Sequence, residues 1–240
     1  MLLAGQAWRK VNIWLKPLQI RLDSGFNKQQ SFINHCMRKV IGVGETVLDI
    51  VFKHEQPMGA LPGGSVFNTI VSLGRVGADA TFISAVGNDR VGANVISFLK
   101  DNGVHTDYVT KYAEGQTPIS LAFLNEQNDA DYLFYHDNKQ HSPDFTYPDV
   151  QPDDIVIFGS FYAVSAATRP QVVSFLEFAH SRGAIIYYDV NFRSGHRNDV
   201  MRITPNLLEN YEYADVVRGS REDFEVLYRQ SDPARVYSAE

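Results

Sequence analysis

A chain of 240 residues can bury one sizeable core, and a composition of 44% hydrophobic and 21% charged residues, with 12 Tyr and 15 Phe, is that of a globular protein rather than a disordered or fibrous one. The formal charge of −6, with no basic cluster in the main body, argues against nucleic acid or an anionic membrane as partner, and no apolar run reaches membrane-spanning length. Cys36 is the only cysteine, so no intrachain disulfide can form and the expected compartment is the cytoplasm.

Residues 1–36 stand apart. Arg9, Lys10, Lys16, Arg21 and Lys28 face a single acid, Asp23, which makes this stretch +4 and the remainder −10. Basic, acid-poor leaders occur as organelle transit peptides, but this one is poor in Ser and lacks a clean amphipathic stripe. It reads as a disordered or artefactual extension ahead of a start at Met37, where Met37-Arg38-Lys39 leads straight into a strand-like run. Residues 37–240 then form one domain.

From Val40 short apolar strands alternate with amphipathic helices, the pattern of a parallel α/β sheet. Strands are expected in VIGVGETVLDIVF from Val40, ATFISAV from Ala80, DIVIFGS from Asp154, AIIYYDV from Ala184 and ADVVRGS from Ala214. Helices are expected in SVFNTIVSLGRVG from Ser65, RVGANVISFLKDNG from Arg90, RPQVVSFLEFAHSRG from Arg169 and REDFEVLYRQ from Arg221. Three of these finish on a glycine, as a helix with a left-handed cap does. Between them TPISLAFLN from Thr117 and DYLFYH from Asp131 alternate like two strands around EQNDA, a hairpin over about 117–137 that could lie off the main sheet and cover a ligand.

The most informative stretch runs from Leu61 to Gly92. Gly63-Gly64 sits directly before a helix, where bare backbone lets a ligand approach and exposed amides favour hydroxyl or anionic oxygens. Asn68, one turn inside, carries an amide that both donates and accepts, as a sugar requires. Asp49 is placed at the end of the first strand. An Asp there is usually a turn or cap residue, but coupled to the glycine pair it reads as a carboxylate for neighbouring hydroxyls. Gly42-Val43-Gly44 invites a dinucleotide-binding reading, but Val47 stands where the third glycine belongs and no acid closes ATFISAV, which disfavours it.

Gly-Gly followed by Asn68, Gly74 and Gly77, then Ala85-Val86-Gly87-Asn88-Asp89 and Gly92, resembles the first signature of the ribokinase, or PfkB, carbohydrate kinases. YYDVNFRSGHR from Tyr187 resembles the Asp-x-Asn-x-Arg strand end of the fructokinase and 2-keto-3-deoxygluconate kinase branches. RGSREDF from Arg218 is similar to the family's Asn-x-x-Glu segment but departs from it at Ser220 and Asp223. The resemblance covers residues 37–240 and leaves out the family's C-terminal third. It implies a ribokinase-like three-layer α/β/α sandwich, with a mostly parallel central sheet and a small β-hairpin lid, whose C-terminal part is missing.

The same resemblance implies transfer of the ATP γ-phosphate to a sugar hydroxyl, with fructose the leading substrate. Asp49, Gly63, Gly64 and Asn68 would hold the sugar, Phe123 and Phe134 on the hairpin would exclude water, and Asp189, Asn191 and Arg193 would line the cleft, Arg193 toward a phosphate or carboxylate. Ser220, Glu222 and Asp223 would sit near Mg²⁺ and phosphate, with room for a monovalent cation; as a serine cap with acids in the first helical turn they are equally complete. The family's base lies in a Gly-Ala-Gly-Asp motif, and no Gly-x-Gly-Asp occurs in the chain. The base is therefore expected beyond Glu240, no catalytic residue is expected within residues 1–240, and the chain is expected to be inactive by itself. A nucleoside (adenosine-type) kinase and a non-catalytic sugar-binding module are the alternatives. The resemblance also allows a homodimer through the lid.

Overall fold

The computed structural model describes residues 38–112, 114–135, 146–192 and 200–230, residues 232, 234 and 235, and the backbone of Asn12–Leu15. In chain order the first half contains β1 (Asn12–Leu15), β2 (Val40–Val43), β3 (Val47–Lys53), β4 (Gln56–Gly63), α1 (Ser65–Arg75), β5 (Ala80–Gly87) and α2 (Arg90–Asp101). There follow β6 (Val104–His105), β7 (Val109–Tyr112), β8 (Ile119–Leu124), β9 (Ala130–Tyr135) and β10 (Ile155–Gly159). A single 3-10 turn (Phe161–Ala163) leads into α3 (Arg169–Ser181), β11 (Ile185–Asp189), α4 (Val200–Tyr213), β12 (Val216–Gly219) and α5 (Arg221–Tyr228).

The main sheet has the order β1-β12-β11-β10-β2-β5-β6, and β7 also pairs with β5. All its pairings are parallel except that of β1 with β12. Strand side chains alternate between faces, and both faces are apolar, as a sheet buried on both sides requires. Ile41, Val43, Phe158 and Ile186 pack with Val172, Phe175 and Leu176 of α3 and Ile203 and Leu207 of α4. On the other face Val40, Phe82, Val86 and Ile157 pack with Val66, Phe67 and Ile70 of α1 and Val95 and Leu99 of α2. The result is the expected three-layer sandwich. Among the described residues no helix is long and apolar enough to cross a membrane.

Four differences from the sequence reading matter. The run from Val40 is two strands in two sheets, broken at Gly44-Glu45-Thr46: β2 is central in the main sheet, and β3 leaves it. With β4, β8 and β9 it forms a second, four-stranded sheet in the order β4-β3-β8-β9, so the lid is twice the hairpin expected from 117–137. Strand β4 escaped notice because Pro57, Gly59, Pro62 and Gly63 depress strand propensity, but β4 is an edge of its sheet, where missing donors are tolerated. Helix α4 escaped through Pro205 in its interior. Within the leader, the backbone of Asn12–Leu15 lies antiparallel on β12 and satisfies its outer edge, where a disordered extension was expected. The remaining leader residues lie outside the described residues.

The glycine-terminated helices follow the sequence closely. Gly77, Gly103 and Gly183, each just past the cap of α1, α2 or α3, have φ of 83°, 75° and 82°, the left-handed region that ends a helix. Asp89 caps α2, accepting from the Gly92 N–H at 2.7 Å, and also accepts from the Thr117 N–H at 2.7 Å and the Thr117 hydroxyl at 2.9 Å. It thereby ties α2 to the entrance of β8, the root of the lid. Partial burial pushes its carboxyl up, but the hydrogen bonds from Gly92, Thr117 and Val91 outweigh this and hold it below the ordinary carboxylate value. With a depressed folded value, this stability is present above the unfolded Asp value near ~3.9 and is lost as pH falls through the lower folded value. Asp89→Asn is expected to lower stability by about 1–2 kcal/mol at pH 7 and to flatten the acid limb of a urea-midpoint profile against pH.

Candidate functional site

The site is assembled where the lid meets the carboxyl ends of the parallel strands, the place at which open α/β sheets gather ligands. Strand β4 of the lid delivers Gly63 and Gly64 directly onto the first turn of α1. Gly64 is the N-cap with φ 134° and ψ 152°, and a Cβ there would stand 2.5 Å from the Glu45 carbonyl oxygen. A Cβ on Gly63 would stand 2.3 Å from Asp49 Oδ2. The carboxylate of Asp49 therefore lies against the bare α-carbon of Gly63.

Asp49 is not at a strand end, as the sequence reading had it, but inside β3 and therefore on the lid. There its Oδ1 accepts from the hydroxyl of Ser120 on β8 at 2.5 Å, and Ser120 is wholly buried. Register partners share a face, so Asp49, Ser120 and Phe134 form one row across β3, β8 and β9. Phe123 belongs to a row three residues further along, of opposite parity, and stacks on Phe52 at 5.0 Å between centroids, on the far face of the lid. Of the two phenylalanines expected to shield the sugar, only Phe134, half exposed, shares the face of Asp49. Asn68 is exposed on α1, its N–H bonded to the Gly64 carbonyl, and its side chain makes no hydrogen bond with a described residue.

At the carboxyl ends of the parallel strands, Asp189 ends β11 and is buried. Its Oδ1 accepts from Arg218 Nη1 at 2.8 Å, and its Oδ2 accepts from the Ser65 hydroxyl at 3.4 Å. Burial pushes its carboxyl above the ordinary range, and the hydrogen bond and charge of Arg218 oppose that push. Asn191 follows with φ 35°. Arg193 lies outside the described residues. So does Glu240, the residue past which the sequence reading put the catalytic base.

Ser220 and Asp223 form a reciprocal capping box at the start of α5. The Ser220 hydroxyl accepts from the Asp223 N–H at 3.1 Å and the Asp223 carboxylate accepts from the Ser220 N–H at 2.6 Å, while Glu222 is exposed beside them. These oxygens hold a helix end, and among the described residues no cluster of three or more His, Cys, Asp and Glu side chains could hold a metal ion. The serine-cap reading of this segment is the one these bonds describe, with the carboxylate of Glu222 exposed beside the cap. Sequence reasoning missed Ser65, Ser120 and Arg218 as site residues. Ser65 follows the glycine pair directly, and Arg218 interrupts an apolar strand, so both left a trace; Ser120 left only its place in an alternating run.

A family model described as pfkB family carbohydrate kinase matches residues 32–239. The chain is 25% identical over 176 residues to the probable fructokinase-6, chloroplastic, of Arabidopsis thaliana, covering 72% of this chain and 46% of that protein. It is 28% identical over 173 residues to the 5-dehydro-2-deoxygluconokinase of Geobacillus thermodenitrificans, covering 69% and 50%. The chain thus spans about half the length of these curated relatives. Among solved structures it is similar to an uncharacterized sugar kinase from Pyrococcus horikoshii, with TM-score 0.69 and 26% identity over 80% of this chain and 66% of that one. It is also similar to a fructokinase double mutant from Vibrio cholerae in a form bound to fructose, ADP and potassium ion, with TM-score 0.72 and 20% identity over 85% and 66%.

Proposed function

The chain belongs to the pfkB family of carbohydrate kinases, and from that premise we propose that it serves ATP-dependent phosphorylation of a sugar hydroxyl, of the fructokinase type, and that these residues hold the sugar. The observation that carries the reading is the Asp49 carboxylate, fixed by Ser120 and laid against Gly63 at the junction of lid and sheet. A carboxylate so held accepts hydrogen bonds from adjacent hydroxyls without reorganising, and Gly63 and Gly64 leave room for a sugar ring to approach the backbone. Phosphoryl transfer depends mainly on positioning and on neutralising the transferred charge. ATP would be the co-substrate. The relatives named as acting on fructose and on 5-dehydro-2-deoxygluconate support a polyhydroxy substrate.

Titration calorimetry with fructose, ribose and adenosine tests the reading. Fructose is expected to bind best; preference for adenosine would replace it with a nucleoside kinase. Because residues 1–240 contain no Gly-x-Gly-Asp, purified chain is expected to give no ATP-dependent fructose phosphate in a coupled assay, and turnover would overturn that part. The lid separates two roles. Phe134→Ala is expected to weaken fructose binding by about 1 kcal/mol with little change in Tm, whereas Phe123→Ala is expected to lower Tm through loss of the Phe52 stack and leave affinity nearly unchanged. Leu133 and Tyr135, exposed on the lid face opposite Asp49, support a homodimer through this sheet, checked by light scattering.

A further inference from the structure

We propose that Asp189 is a positioning residue rather than a sugar contact, and that Arg218, which it holds, takes a phosphoryl oxygen of the co-substrate. The proposal rests on the reading above only in placing a phosphoryl group at this sheet edge. Asp189 and Arg218 are register partners on adjacent parallel strands, so the backbone itself sets them side by side. The Asp189 side chain is 10% exposed, and each of its oxygens accepts a hydrogen bond from protein, Oδ1 from Arg218 Nη1 and Oδ2 from Ser65. Its low exposure, rather than a lack of lone pairs, leaves a sugar hydroxyl little access to this carboxylate.

The Arg218 side chain is 30% exposed, and its bond to Asp189 is the one hydrogen bond its guanidinium makes with the described residues. Its remaining donors form the planar fork that suits phosphate, and pairing at Nη1 fixes the plane of that fork. Ser65 extends the connection. It is the first residue of α1, immediately after the glycine pair against which Asp49 lies. The chain Ser65–Asp189–Arg218 is therefore a strut from the sugar loop to the strand end where the transferred group would sit, and it sets the spacing between the two subsites.

The test follows the Nε–Hε NMR signal of Arg218 in the full 240-residue chain, assigned by its loss in Arg218→Lys, as inorganic pyrophosphate is added. A saturable shift is expected. Read from the amides of β12 and α5, affinity for pyrophosphate should fall about tenfold in Arg218→Lys, which keeps the charge and loses the fork, and by a similar factor in Asp189→Asn, which loses the orienting partner. An Arg218 signal that stays still, or moves without saturating, overturns the proposal. Tighter pyrophosphate binding in Asp189→Asn overturns the positioning role, since it would show the carboxylate repelling the anion. Fructose titrated into the same samples separates the two readings: a saturable pyrophosphate response without fructose binding removes the sugar reading and leaves this one, and the reverse removes this one.

Discussion

Asp49→Ala is expected to weaken fructose binding by about 2–5 kcal/mol, roughly thirty- to several-thousand-fold, because two charge-assisted hydrogen bonds to neighbouring hydroxyls are lost together. The side chain is bonded to Ser120 and seated on Gly63, so little of that loss can be recovered by another rotamer or residue. Truncation also leaves the buried Ser120 hydroxyl without its partner, which by itself costs about 1–2 kcal/mol of stability. Asp49→Ala with Ser120→Ala removes both groups and should restore part of the stability without restoring affinity. Calorimetric titration with fructose, paired with thermal melts, checks both statements. Unchanged fructose affinity in Asp49→Ala would mean that the sugar sits elsewhere.

Gly64→Ala is expected to be the most disruptive of the small substitutions at the site. Its φ of 134° with ψ of 152° belongs to a region that only glycine occupies freely, and forcing another residue there costs about 1–3 kcal/mol. The added methyl would also meet the Glu45 carbonyl oxygen at 2.5 Å, and a backbone atom cannot move aside by changing rotamer. A total of about 3–5 kcal/mol corresponds to a fall in Tm of roughly 6–20 °C for a domain of this size. Gly77→Ala is the control. There φ is 83° but nothing stands within 4 Å of the new Cβ, so only the conformational cost of about 1 kcal/mol is expected. Gly63→Ala differs from both: its methyl would strike the Asp49 carboxylate at 2.3 Å, so fructose affinity should drop by more than stability does. A Gly64→Ala melt within a degree or two of the unsubstituted chain would contradict the strain argument.

Most elements of the main sheet were legible because their cause is local. β5, β10, β11 and β12 and helices α1, α2, α3 and α5 were marked by apolar runs, amphipathic periodicity and the cap glycines Gly77, Gly103 and Gly183, all of which act within a few residues. β4 and α4 were hidden because their prolines and glycines argue against a strand or a helix, and an edge position or packing onto a core outweighs such preferences.

The candidate site divides along the same line. Gly63, Gly64 and Asp49 were picked from the sequence, and the structure lays Asp49 against Gly63. That Asp49 leans on Ser120, 71 residues away, and that Phe123 and Phe134 face opposite sides of the lid, depend on strand register, which no local signal carries. Asp189 was picked from the sequence as a cleft residue, but its partners Arg218 and Ser65 come from β12 and α1 and meet it only in the folded sheet. Ser220 and Asp223 went the other way: the capping box, a local motif from Ser220 to Asp223, accounts for the helix-end bonds of oxygens that the resemblance had assigned near a metal.

By itself, then, the sequence determined the family, the alternation of strands and helices and the glycine-bearing loop, because each depends on residues close together in the chain. The tertiary structure alone decided that Asp49 rides on the lid, that the lid has four strands, and which charged groups are paired at the carboxyl ends of the parallel strands. Those facts are contacts between distant segments, and they exist only once long-range burial has overridden local preference.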